Sequence, residues 1–438
     1  MPPMPARILA FFLAGGLLAA ALSGQAAPGP GPTPSVGSAA TSTAAYTLSP
    51  EKRARAIAYS RARYRLHFVS FLWSVLVLVG IIGVRVAPRF RDRAEAASKR
   101  RFWQAAVFAP LVLLADAVLE LPTEMYGHRL SLLYEQSVQG WGSWLWDWAK
   151  GLLVGVVIAI PLVWLLYAIL RRSPRRWWLW FWLALLPILV FLIFVTPLAI
   201  DPLFFRFEPL APDHPELARR IEEVTMRAGQ RIAPDRMFVM NASTKSNSIN
   251  AYVTGLGASK RVVVWDTTIA KATIPQTLMV FGHEMGHYVL LHIPKAIAFF
   301  WTFLFVLLAL ASAILDRLLG RAPRWGIRGV SDWASLPVLL LIATVAGELS
   351  QPLVNGFIRY REHQADVFGL EAIHALVPDS QLAAAGAFQI LGEANLSDPD
   401  PSPFIRFWLY DHPPLAERLR FAATYDPWGK GERPRYVP

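Results

Sequence analysis

The chain has 438 residues, 54% of them hydrophobic, with 17 Trp, 25 Phe and no cysteine. Such hydrophobicity excludes an ordinary soluble protein, and the lack of cysteine excludes disulfides and thiolate metal ligands. The net charge of +12 does not argue for nucleic acid, because the arginines lie in short segments between apolar runs; no nucleic-acid partner is expected.

In chain order, residues 1–27 begin with Arg7, continue through an apolar stretch to Leu22 and end in small residues. They read as a signal peptide or an uncleaved signal anchor. Residues 28–50, rich in Pro, Gly, Ser, Thr and Ala, read as a disordered linker. A basic amphipathic helix over 51–65 then leads into an N-terminal membrane domain, 51–205, with spans at 67–86, 102–121, 152–170 and 178–199. Tryptophans cluster at the ends of these runs, as at Trp141, Trp144, Trp177 and Trp178, where a bilayer meets water. Asp116, Glu120 and Glu124 recur on one face at the end of the second run. Acids at that depth need water or a partner, as does Glu348 inside the last run.

From 206 the pattern turns globular: a helix over Pro215 to Ala228, strands at Met237 to Met240 and Asn250 to Val253, a turn over 255–260, and a strand at Arg261 to Trp265. A hydrophobic hairpin, 293–356, with spans at 295–316 and 335–356, interrupts this domain, which resumes over 357–425 before a tail at 426–438. Two spans return the chain to the side it left, so 206–292 and 357–425 can form one catalytic domain.

His283-Glu284-Met285-Gly286-His287 carries the chemistry. Histidines at i and i+4 share one helical face and can grip a single Zn²⁺, while Glu284 can take a proton from the water that the metal polarises. Pro275 suits the first turn of this helix. A catalytic zinc usually has a third protein ligand. Glu362 is the best candidate, with Asp366 one turn further on and able to hold the second ring nitrogen of a ligating histidine. His363, Glu371 and Glu393 compete for the ligand role. His292 is out of phase with His287 and reads as a helix-end or interface residue. His67, His128, His214 and His374 show no ligand spacing.

Several stretches in order resemble the CAAX prenyl endopeptidase family of membrane zinc proteases, the a-factor-converting type. They are the basic 51–65 segment, Leu121-Pro122, Ile200-Asp201-Pro202-Leu203-Phe204, Asn250-Ala251-Tyr252, the zinc motif, Asn355 with Arg359, Glu362 and Asp366, and His412-Pro413 with Glu417-Arg418. The resemblance covers about residues 51–425. It implies a mainly α fold, a multi-pass membrane helical bundle or cage carrying a zincin-like α+β catalytic domain with a small β-sheet. It also implies one Zn²⁺ on His283, His287 and Glu362, with Glu284 and His412 catalytic, His412 donating to the oxyanion. Asp366 would be the support of a ligand, Asn250, Ala251 and Tyr252 the strand that pairs with substrate, and Asp116 and Glu348 part of a chamber wall.

The expected function is therefore zinc-dependent peptide-bond hydrolysis at a lipid bilayer, on a peptide or protein that is lipid-modified or membrane-associated. The alternatives are a quality-control protease of the heat-shock type without prenyl specificity, and a catalytically silent protein with a structural zinc site. High Ala, Arg and Pro content points to a GC-rich bacterial genome, hence an inner membrane. Segments 85–101, 171–176 and 317–328 hold 7, 4 and 4 Lys and Arg, against 6 and 2 in 51–65 and 121–151 on the other side. This bias, with the N-terminal signal, puts the catalytic domain outside the cytoplasm; the eukaryotic members of the family face the cytosol.

Overall fold

Pro50 to Gly83 form one unbroken helix, α1 (Pro50–Gly83), in the computed structural model, which describes residues 45–255, 260–319 and 322–437. The N-terminal signal segment, most of the 28–50 linker and residues 256–259 of the expected turn lie outside the described residues. Ser49 caps α1 by accepting the Lys52 N–H at 3.3 Å. At 34 residues the helix is about 50 Å long, so its basic first turns extend well beyond a hydrocarbon layer of about 30 Å. The expected basic helix and the first span are thus one element.

α2 (Val86–Ala97) follows a left-handed Arg85, in a segment where only a connection was expected. Then come α3 (Arg101–Leu133), α4 (Trp141–Arg172) and α5 (Trp177–Val195). The chain bends by 45° between Trp177–Leu192 and Thr196–Leu203. Among the described residues five helices are long and apolar enough to cross a membrane, and the bent pair makes a sixth candidate. These match the six runs read from the sequence. Phe108, Leu113, Leu166, Tyr167, Trp177 and Trp333 form the buried centre of the membrane half, while Val69, Leu72, Leu76 and Val79 stand exposed along α1 as a face for lipid tails.

The catalytic half holds a four-stranded sheet in the order β1-β2-β4-β3. Its strands are β1 (Phe207–Pro209), β2 (Met237–Met240), β3 (Ala251–Thr254) and β4 (Arg261–Trp265). β1 lies antiparallel to β2, β2 parallel to β4, and β3 antiparallel to β4 with Ala251 opposite Val264. β1 was not expected; it is three residues long and ends in proline, which an edge strand tolerates. Helices α6 (Pro215–Arg227) and α7 (Ile274–Val289) pack on the sheet through Leu217, Ile221, Val262, Val264, Leu278 and Phe281.

The hairpin consists of α8 (His292–Leu319) and α9 (Leu336–Ile373), and α9 continues without a break from the membrane into the catalytic half. α10 (Ser380–Ala394), α11 (Pro403–Leu409) and α12 (Leu415–Thr424) complete the domain. The described end of the linker docks rather than dangling: Tyr46 is buried, and Thr47 N–H and C=O both pair with the Gln389 side chain on α10. At the other end, the Glu371 carboxylate accepts N–H groups of Arg435, Tyr436 and Val437, which fastens the tail to α9.

What positions the site is the crossing of α7 on α9. A Cβ on Gly369 would lie 2.7 Å from the His283 backbone nitrogen, one on Gly282 3.0 Å from the Gly369 carbonyl oxygen, and one on Gly286 3.0 Å from Ala365 Cα. The backbones meet there because three side chains are missing. Gly369→Ala should push the helices apart, costing about 1–3 kcal/mol and lowering the thermal midpoint in detergent. Gly347→Ala on the same helix, where an added Cβ meets nothing within 4 Å, should leave the midpoint unchanged or higher. Equal behaviour of the two variants would contradict the crossing.

Candidate active site

Thr273 fixes the start of α7. Its hydroxyl accepts the Gln276 N–H, and the Gln276 side chain accepts the Thr273 N–H at 2.9 Å, with Pro275 in the first turn. Leu278, Met279, Phe281 and Met285 are fully buried, which sets the rotation of the helix and turns His283 and His287 towards α9.

There the two imidazoles and the Glu362 carboxylate converge. His283 Nε2 lies 3.1 Å from His287 Nε2 and 3.2 Å from Glu362 Oε2, and His287 Nε2 lies 3.4 Å from Glu362 Oε1. Donors bound to one zinc at about 2.0–2.1 Å in a tetrahedron would stand about 3.3–3.4 Å apart. Glu362 Oε2 is buried without a partner of hydrogen-bond geometry, although His283 and His412 nitrogens lie within 3.2 Å of it. Two nitrogens and a carboxylate that crowd one point, with one carboxylate oxygen left unbonded, fit a metal ion.

The second ring nitrogens are also engaged. His283 Nδ1 meets Asp366 Oδ1 at 2.8 Å, and Arg418 grips both oxygens of Asp366. A proton held on Nδ1 towards Asp366 leaves Nε2 with a free lone pair, the tautomer that metal binding requires. Burial disfavours the charged form of His283, but Asp366 and Glu362 outweigh it and raise the pKa to about 9; the pocket around Nε2 favours a cation. Burial lowers His287 to about 4, so its imidazole is neutral.

His287 Nδ1 faces His292 Nδ1 at 3.1 Å. Helical phase does not give this contact because the helix does not continue: Leu291 is left-handed, with φ 55°, and α8 starts afresh at His292. His292 begins α8, a helix-end position, and its ring also touches that of His287.

Glu284 follows His283 on α7. Burial is the main cause that raises its carboxyl to about 7, with His283 opposing and Glu362 adding. Among the described residues no side chain hydrogen-bonds it. His412 Nε2 lies 3.0 Å from Glu362 Oε2, and its Nδ1 2.8 Å from Asp411 Oδ1. Burial opposes its charged form, yet the carboxylates of Glu362 and Asp411 hold its pKa well above the ordinary value.

The competitors for the third ligand are occupied elsewhere. His363 sits edge-on to Phe421, Glu371 holds the tail, and Glu393 pairs with Lys52 at 2.8 Å. Asn250 is buried beside β3, where its side chain accepts the Ala251 N–H at 2.8 Å; Tyr252 is partly exposed on the strand. Asp116 lies on α3, and Glu348 lies about four turns before Glu362 on α9. Asp116 is partly exposed, and Glu348 is buried with His67, Gln351 and Trp408 around its oxygens.

Known proteins resemble this chain over both of its halves. Residues 38–206 match the family described as CAAX prenyl protease N-terminal, five membrane helices, and residues 211–426 match peptidase family M48. An uncharacterized metalloprotease, YhfN, of Bacillus subtilis is 34% identical over 386 residues, covering 86% of each chain. The rice CAAX prenyl protease 1 homolog (Oryza sativa subsp. japonica) is 26% identical, covering 85% of this chain and 87% of its own. The crystal structure of S. mikatae Ste24p shares the fold, with a TM-score of 0.73 at 23% identity over 97% of this chain and 100% of that one. The chain belongs to peptidase family M48 and is a multi-pass membrane metalloprotease with a CAAX prenyl protease N-terminal region.

Proposed function

We propose that this protease cleaves peptide bonds with one zinc ion held by His283, His287 and Glu362. The observation that carries the reading is the triangle of donors 3.1, 3.2 and 3.4 Å apart, on a helix that also presents Glu284. Zinc bound there supplies Lewis acidity to the attacking water and the scissile carbonyl. Glu284 takes the proton of the water and passes it to the leaving amine. His412 donates a hydrogen bond to the oxyanion. Asp366 orients His283, and His292 accepts the ring N–H of His287. A structural zinc site would take four protein donors, whereas three converge among the described residues.

In this reading the substrate adds a strand at Asn250-Ala251-Tyr252, beside the edge strand β3. Trp265 N–H donates to the Asn250 carbonyl at 3.1 Å, so antiparallel alternation turns the main-chain groups of Ala251 and Val253 away from β4. The Ala251 N–H is taken by the Asn250 side chain, so the Ala251 carbonyl and the main chain of Val253 are the groups left for pairing. The substrate class we infer is a membrane-tethered peptide with a prenyl-cysteine, after the relatives named CAAX prenyl proteases. Asp116 and Glu348 would border its path through the membrane half. The heat-shock-type alternative has no observation in its favour.

The proposed location is a bacterial inner membrane with the catalytic domain outside the cytoplasm. Arg91 pairs with Asp332 at 2.6 Å and Arg328 with Glu95 at 2.8 Å. These pairs support grouping the arginine-rich segments 85–101 and 317–328 on one side, which the charge rule makes cytoplasmic. A signal peptide or an anchor over 1–27 gives the same orientation.

Glu284→Gln should keep one zinc per chain and lose about 10²-fold or more of peptide cleavage; a zinc-loaded variant as fast as the parent would contradict the mechanism. In the same assay a peptide with a prenyl-cysteine should be cut faster than its unmodified twin, and equal rates would remove the prenyl assignment. Alkaline phosphatase fused after the last residue should be active in cells. An inactive fusion, with a fluorescent protein glowing at that point, would put the catalytic domain in the cytoplasm.

A further inference from the structure

α11 is a seven-residue helix, too short to hold its shape alone, and it ends just before His412. Its last carbonyls have no partners within the helix. Side chains of α9 supply them. Arg359 Nη1 donates to the Arg406 carbonyl at 3.1 Å and also to the Tyr410 carbonyl, and Asn355 Nδ2 donates to the Trp408 carbonyl at 2.6 Å. A guanidinium suits the negative end of a helix. Higher on α9, Glu348 Oε1 accepts the Trp408 indole N–H at 2.9 Å, and His67 Nε2 from α1 lies 3.1 Å from the same oxygen. Beyond α11, the Tyr410 hydroxyl meets that of Tyr64 on α1 at 2.9 Å.

Positions 348, 355, 359, 362 and 366 recur at sevens, fours and threes, one face of one helix. The face that presents Glu362 to the metal and Asp366 to His283 therefore also grips the 406–410 segment by its main chain and its indole. His412 follows two residues after Tyr410 and stands 3.0 Å from Glu362. An oxyanion donor has to be placed within a few tenths of an ångström to act.

We propose that Asn355 and Arg359, with Glu348 through Trp408, are positioning residues that fasten α11 to α9 and so set His412 over the metal site. This rests on the oxyanion role given to His412 above. Loosening the fastening should lower kcat while leaving KM and metal affinity near the parent values, because it touches neither the triad nor β3.

The test uses the full-length protein in detergent, with Asn355→Ala, Arg359→Ala and, as the mildest change, Trp408→Phe, which removes the indole donor while keeping an aromatic ring. Amide exchange of residues 404–412 should quicken in all three, with or without zinc, while zinc retention against a chelator stays within about threefold of the parent and kcat falls about tenfold or more in the first two. Each of those two should also be non-additive with His412→Ala, the double variant being no slower than His412→Ala alone. Unchanged exchange over 404–412, or fully additive losses, would overturn the proposal. If His412→Ala itself keeps the parent kcat, the oxyanion role fails instead; the exchange data then judge the fastening on their own.

Discussion

The close contact between the backbones of α7 and α9 is the constraint on which the site depends. His283 and His287 sit on one helix and Glu362 on another, and donors for one ion have to converge within a few ångströms. Ordinary side chains keep helix axes about 8–10 Å apart. Gly282 and Gly286 on α7, opposite Gly369 and Ala365 on α9, remove that spacing where the ligands emerge. Each glycine directly precedes one of the two histidines, so the residues that permit the approach lie on the segment that presents the imidazoles.

Bringing a carboxylate pair and two imidazoles together in a buried place is costly unless each is held. The structure meets this with a chain of contacts from α12 inwards: Arg418 to Asp366, Asp366 to His283, and His283 beside Glu362. His292 closes the other side at His287. One imidazole is therefore backed by a carboxylate and the other by an imidazole; against burial, Asp366 and Glu362 raise His283, whereas burial lowers His287.

Much of this was legible in the chain. The six apolar runs, the strands β2, β3 and β4 and the i, i+4 histidines carry their period or length openly, and Glu362 with Asp366 was marked by spacing and by family likeness. Other features leave weak local signals. β1 is too short and ends in proline. α2 lies in a charged stretch that reads as a connection. Tyr46 docks from a segment whose composition signals disorder. The pairing of His292 with His287 arises from a helix break at Leu291, which no periodicity predicts. The grip of α9 on α11 joins residues about fifty positions apart through main-chain carbonyls, groups that every residue carries and that therefore leave no mark in a sequence.

The account stands on the claim that the α7–α9 crossing builds a three-ligand metal site. Anomalous diffraction from crystals of the zinc-loaded protein, recorded on both sides of the zinc absorption edge, tests it most directly. The account predicts one strong zinc peak per chain, with His283, His287 and Glu362 as its protein ligands. A peak elsewhere, a fourth protein ligand closing the site, or no peak in zinc-saturated crystals would contradict it.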